Sequence, residues 1–145
     1  MIVYVDSSIV VRALLPDEAD HERARRQVLE SNDVMVTGSW TRVEVASALT
    51  RAARAARGDA ELLHRAASTL LRDPYVVAVD AEQAEIELIA ELIVKAHGIR
   101  SLDAWHLAVA HLVREDLTEH DEEVRFATLD SRQAEVAEHL GFAPA

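Results

Sequence analysis

The stretch IVYVDSS at residues 2–8 decides how this chain is read. Its first four residues are all apolar and rich in β-branched types, the pattern of a strand buried on both faces; a strand with one wet face would alternate apolar and polar residues. The polar step Asp6, Ser7, Ser8 ends it. A strand covered on both sides needs helices above and below its sheet, and the remaining sequence has to supply them.

It does so in alternation. A short helix through Leu15 stops at Pro16, and residues 18–30 read as an arginine-bearing helix before the short strand VMVT at 34–37. Ser39 is the expected cap of a helix over 40–56, whose apolar stripe is Val45, Ala48, Leu49, Ala52 and Ala56 and which Gly58 ends. Residues 59–71 read as a further helix stopped near Pro74, and VVAV at 76–79 as a strand. The segment 81–97 carries Ile86, Ile89, Ala90 and Ile93 at helical spacing, with Gly98 as terminator. Ser101 is the expected cap of a helix reaching about Arg114 that is apolar on nearly every side, which predicts a central position. Beyond the polar segment REDLTEHDEE at 114–123, VRFAT at 124–128 reads as a strand, Ser131 as the cap of a last helix through Leu140, and FAP at 142–144 as a short edge strand. Strands alternating with helices predict an α/β fold with a mainly parallel central sheet flanked by helices, formed as one domain over residues 1–145.

Composition bounds the chemistry. A chain of 145 residues supports one real core and leaves no room for a second domain of ordinary size. It has no cysteine, which excludes disulfides, thiolate nucleophiles and Cys-based metal sites. The apolar start has no basic flank, and the run LAVAHLV at 107–113 is far shorter than a bilayer requires. A cytoplasmic protein with no membrane partner is expected. The 26 acidic and 15 basic residues, net -11, ordinarily oppose a nucleic-acid partner. Their distribution weakens that objection: residues 1–60 hold 9 acids and 8 bases, whereas 61–145 hold 17 and 7.

Four acids stand out by position. Ligands of open α/β sheets bind beyond the carboxyl ends of the strands, and Asp6 and Asp130 each follow a strand at that rim. Taken alone, each reads first as a turn or cap residue. Glu44 has Trp40, Ser47 and Ala48 as its helical neighbours, which puts a carboxylate near the apolar side; pairing with Arg12 or another arginine is its bland reading. Asp103 opens the most buried helix, where the dipole alone would favour it, yet the following turn offers no basic residue. Carboxylates brought together repel unless a cation offsets them, and Mg2+ or Mn2+ prefers oxygen ligands while leaving room for water and a phosphate oxygen. The inference is metal-assisted hydrolysis of a phosphodiester without a covalent nucleophile.

The motifs VYVDSSIVV with Asp6, TRVEVASAL with Glu44, SLDAWHLAVA with Asp103 and FATLDSRQAEVAEHLG with Asp130 occur in this order over almost the whole chain. The set resembles the PIN domain nuclease family, and within it the VapC-like toxins of bacterial toxin–antitoxin pairs. The resemblance implies a three-layer PIN-like sandwich and a Mg2+- or Mn2+-dependent endoribonuclease that cuts structured RNA, often tRNA. It implies an antitoxin whose C-terminal segment enters or covers the site, and a homodimer. Asp6 and Asp103 would be the most constant metal ligands, Glu44 and Asp130 would complete the site directly or through water, and Ser7 would support a carboxylate or a water.

Arg51, Arg54 and Arg57, spaced by three, are expected on one side of their helix as an RNA phosphate track or antitoxin contact, against the bland reading of solvated charge. Arg23, Arg25 and Arg26 form the second cluster, and Arg12 could orient a phosphate near Asp6. His106, three residues after Asp103, reads first as a hydrogen-bonded structural imidazole. Trp40 and Trp105 read as core or dimer-contact residues. The sole lysine, Lys95, lies late in a helix, which argues against a phosphoaspartate receiver domain; no GxxxxGK or GxGxxG element is present, and Ser8 replaces the second aspartate of a haloacid-dehalogenase-type phosphatase. A PIN nuclease that is not a toxin, or an inactive partner-binding protein with the same fold, are the alternatives.

Overall fold

The computed structural model describes residues 1–118 and 123–145, so part of the polar segment expected at 114–123 lies outside the described residues. Five strands, β1 (Ile2–Val5), β2 (Val34–Gly38), β3 (Val76–Val79), β4 (Val124–Ala127) and β5 (Ala143–Pro144), form one sheet in the order β3-β2-β1-β4-β5. Every pairing is parallel, with Tyr4 beside Val36 on one flank and Phe126 on the other.

Strand β1 is buried along its whole length, as IVYV predicts, and its alternation divides the molecule into layers. Ile2 and Tyr4 enter the core built with α5 (Gln83–His97), α6 (Ser101–Leu117) and α7 (Ser131–His139). Val3 and Val5 enter the opposite core with α1 (Ser7–Leu14), α2 (His21–Glu30), α3 (Thr41–Arg54) and α4 (Ala60–Leu70). Each such aliphatic side chain contributes roughly 1.5–3 kcal/mol on full burial, and a one-residue slip would swap the two faces. Helix α6 is central: Ala104, Leu107, Ala108, Val109 and Ala110 are inaccessible to solvent. It continues past Arg114 to Leu117, so the start of the polar segment is helical.

Three expected caps are displaced by one residue. Helix α7 is capped by Asp130, whose carboxylate accepts from the backbone N–H groups of Arg132 and Gln133, and Ser131 already lies inside the helix. A charged oxygen at a helix start outcompetes a hydroxyl for those donors. Ser101 is likewise the first residue of α6 with Arg100 before it, and Ser39 donates to Asp80 at 2.9 Å while Trp40 precedes α3. Helix α3 stops at Arg54, and Ala56 takes a left-handed φ of 57° before Gly58 is reached.

The chain runs from β1 outward to β2 and β3, then crosses to β4 on the other side of β1. Strand order therefore reverses between β1 and β4, the kind of point beyond whose carboxyl ends open α/β sheets bind ligands. The backbone N–H of Asp6 donates to Ala127 O at 3.0 Å across that point.

Candidate active site

Asp6 lies at the reversal point and is only 5% exposed. As the cap of α1 its Oδ1 accepts from the Ser8 N–H at 3.0 Å and from the Ser8 hydroxyl. Its Oδ2 lies 3.1 Å from Thr128 Oγ1, but that hydroxyl is also 2.6 Å from Gln133 Oε1 while it accepts from the Asp130 N–H at 3.1 Å. One hydroxyl proton cannot serve two acceptors. The Gln133 amide orientation is set by its Nε2, which donates to Asp103 O at 3.2 Å, so the shorter contact takes the proton and Asp6 Oδ2 is one donor short. Burial pushes the Asp6 carboxyl up, against the pull of the Ser8 hydrogen bonds.

Glu44 projects from α3 into a buried relay. Ser7 Oγ donates to its Oε2 at 2.6 Å, and His106 Nε2 lies 2.8 and 3.2 Å from its two oxygens. On the far side of the imidazole, Nδ1 is 3.0 Å from Tyr4 OH, which accepts from the Gly38 N–H at 3.0 Å. A phenol that already accepts is placed to donate its proton to Nδ1, which leaves Nε2 protonated and facing Glu44. Burial would raise the Glu44 carboxyl, but the hydrogen bonds from His106 and Ser7 hold it below its ordinary value. The partner of Glu44 is thus a histidine, and pairing with Arg12 does not occur. The structural reading of His106 holds, and the residue also touches one of the four acids.

Asp103 and Asp130 share a cation that the reading of the following turn did not find. Arg100 Nε donates to Asp103 Oδ2 at 2.9 Å and its Nη2 to Asp130 Oδ2 at 3.1 Å. The guanidinium precedes Asp103 by three residues, the spacing at which helical neighbours meet, so its signal was in the sequence on the N-terminal side.

Two pairings connect the four acids locally: Ser7, next to Asp6, binds Glu44, and Arg100 spans Asp103 and Asp130. As the side chains stand, no group of three or more His, Asp or Glu among the described residues is close enough to hold a metal ion. The donor set nevertheless suits a hard divalent cation: it is oxygen-based, one buried carboxylate oxygen lacks a hydrogen, and a positive group already sits between two other acids. The exposed Arg100 head offsets part of the charge of Asp103 and Asp130.

The basic residues separate. Arg57 lies beyond the end of α3, and its guanidinium binds Asp17 at 2.7 and 3.1 Å and Glu18 at 2.6 Å, so it does not continue the row of Arg51 and Arg54. Arg51 donates to Ser47 at 2.6 Å beside Glu44, and Arg54 is exposed. Arg12 points to Asp20 at 3.9 Å and, with Arg23, lines a separate cavity that reaches Thr128. Trp105 is half-buried against the core, but Trp40 is 47% exposed, which overturns its reading as a core residue.

The sheet is parallel throughout, and the buried Asp6 stands at its reversal point. The PIN domain family model matches residues 3–139, and the chain belongs to that family of nucleases. Among solved structures the fold is similar to that of Mycobacterium tuberculosis VapC20, a Sarcin-Ricin loop cleaving toxin, with a TM-score of 0.66 over 99% of this chain and 98% of that one at 16% identity. No curated protein matches the chain in sequence.

Proposed function

We propose that this chain is a divalent-metal-dependent endoribonuclease, the toxin of a toxin–antitoxin pair, acting on structured RNA such as tRNA. The observation that carries the reading is Asp6: a buried carboxylate at the point where the strand order reverses, with no arginine or lysine bound to it among the described residues and with its second oxygen competing with Gln133 for the single Thr128 proton. Burying such a charge is costly without a compensating cation. Family membership and the likeness to an RNA-cleaving toxin support the same reaction class.

In this reading Asp6 and Asp103 hold Mg2+ or Mn2+, with Glu44 and Asp130 completing the set. A bound ion would offset the negative charge of carboxylates and phosphate and supply Lewis acidity toward the scissile bond. Ser8 fixes the Asp6 carboxylate through its N–H and hydroxyl, Ser7 and His106 fix Glu44, and the cap bonds of α7 fix Asp130. Arg51 and Arg54 receive phosphates. The partners are RNA, a second copy of the chain and an antitoxin, and the compartment is the cytoplasm, in keeping with the lack of cysteine and of any membrane-crossing helix among the described residues.

The standing separation of the acids favours one second reading, a partner-binding protein that keeps the fold without catalysis. Mapping RNA cleavage ends in cells that express the wild-type chain or Asp6→Ala separates the two. Cuts confined to a few RNAs and lost in Asp6→Ala support the nuclease toxin; identical maps support the binding protein.

A further inference from the structure

Between α1, the start of α2 and the end of β4 lies a cavity of about 240 Å3 that none of the four acids lines. Its apolar side comes from Ile9, Ala24 and Ala127, which are all buried. Its polar side is basic. Arg12 comes from the last turn of α1 and Arg23 from near the start of α2, and Gln27 follows Arg23 by four residues, the spacing that puts both on one side of the helix. The Arg12 side chain is 25% exposed, yet its ion-pair partner, Asp20, stands at 3.9 Å, past hydrogen-bond range, and is itself 67% exposed. Among the described residues neither Arg12 nor Arg23 donates a side-chain hydrogen bond to the protein. Other acids of the segment are engaged elsewhere: Asp17 and Glu18 bind Arg57, and Glu22 faces His21 at 3.8 Å. A mostly covered guanidinium without such bonds has lost hydration that a bound anion would replace.

We infer that this cavity binds a phosphate monoester group, at a site separate from the hydrolytic one. Near pH 7 such a group carries about -1.5 to -2 charges and three acceptor oxygens. Two guanidinium forks and the Gln27 amide can share those oxygens, whereas a carboxylate has only two, which one arginine alone satisfies. Asp20 offsets little of the positive charge, because water screens an exposed carboxylate. The volume takes one phosphate with a small substituent and not a run of polynucleotide backbone. With none of the four acids in its wall, the site stands whether or not the chain hydrolyses RNA. The same chemistry can arrive as free phosphate or a small phosphate ester, or as the 5′-phosphorylated end of an RNA.

Calorimetric titration of the full chain with inorganic phosphate in EDTA tests this. Saturable binding is expected, weaker by about tenfold in Arg12→Gln and in Arg23→Gln, since each substitution removes a charge-assisted pair. Arg23 is exposed and its replacement leaves the core untouched, so that variant decides the matter even where Arg12→Gln fails to fold. Asp20→Asn, which removes the competing carboxylate, should bind phosphate more tightly. Absence of saturable binding, or unchanged affinity in Arg23→Gln, overturns the proposal. A short oligoribonucleotide with and without a 5′-phosphate, titrated in the same buffer, separates the sources. Tighter binding of the phosphorylated strand that Arg23→Gln abolishes assigns the site to an RNA end. Equal binding of the two strands, beside phosphate binding that depends on Arg23, assigns it to a small phosphate compound.

Discussion

His106 Nε2 lies 2.8 Å from Glu44 Oε1, so the central helix α6 holds the single carboxylate that α3 contributes to the rim. The imidazole is in turn held by Tyr4 of β1. Sheet, central helix and candidate site are one hydrogen-bonded unit, in which each polar group is buried at the expense of another's hydration.

His106→Leu leaves Glu44 largely desolvated with Ser7 as its remaining partner. The sign follows from the lowered Glu44 carboxyl: its stabilising contribution is present above the unfolded value of 4.5 and is lost as pH falls through the lower folded value. The variant is expected to be about 3 kcal/mol less stable at pH 7. That deficit should narrow as pH falls from about 4.5 through the lower folded value, where the folded wild-type carboxyl protonates. Urea unfolding at several pH values measures it; a pH-independent deficit would mean that lost packing alone is responsible.

Asp6→Asn is expected to stabilise the metal-free chain while removing cleavage. The raised Asp6 carboxyl costs nothing below its unfolded value of 3.8 and most above its folded one, so the asparagine variant gains on wild type as pH rises. Its amide also donates to Thr128, whose own proton then belongs to Gln133 alone. Relief of about 1 kcal/mol corresponds to a melting temperature higher by roughly 3 °C for a chain of this size. Thermal denaturation in EDTA at pH 7 checks this, and a lower melting temperature contradicts the donor count.

The identity of the fold was legible because it rests on patterns that recur along the chain. IVYV has no polar face, and the helix after Ser101 has scarcely any, so both had to be interior. The candidate rim was legible where an acid directly follows a strand, as at Asp6 and Asp130. What stayed hidden depends on approach in space. Tyr4, Thr128 and Gln133 are ordinary residues in sequence, and their roles exist because β1, β4 and α7 meet. Arg57 was misplaced because RAARAAR is helix-forming to its end, and only the tertiary pull of Asp17 and Glu18 accompanies the early stop at Arg54.

Arg100→Gln should bind Mn2+ more tightly. The guanidinium spans Asp103 and Asp130 and competes with any ion there, but it is 77% exposed, so the competition is weak. A gain of about threefold is expected in calorimetric titration. Equal or weaker binding would show that Arg100 does not compete for the site.

Gly38→Ala should disturb the relay without touching an acid. An added Cβ would lie 2.5 Å from the Trp105 ring and 2.8 Å from Tyr4 OH, and the buried Tyr4 is held in place by His106. Overpacking of this kind costs about 1–3 kcal/mol. A destabilisation in urea together with slower cleavage is expected; an unaffected melting curve would contradict the tight packing at the end of β2.

The account stands most directly on whether RNA hydrolysis by the purified chain needs both a divalent ion and Asp6 with Asp103. End-labelled RNA incubated with wild type, Asp6→Asn and Asp103→Asn, in EDTA and with Mg2+ or Mn2+, gives the answer. Cleavage restricted to wild type with metal, leaving 3′-hydroxyl ends, is the predicted result. Cleavage that persists in EDTA with 2′,3′-cyclic phosphate ends, or that survives both substitutions, would contradict it.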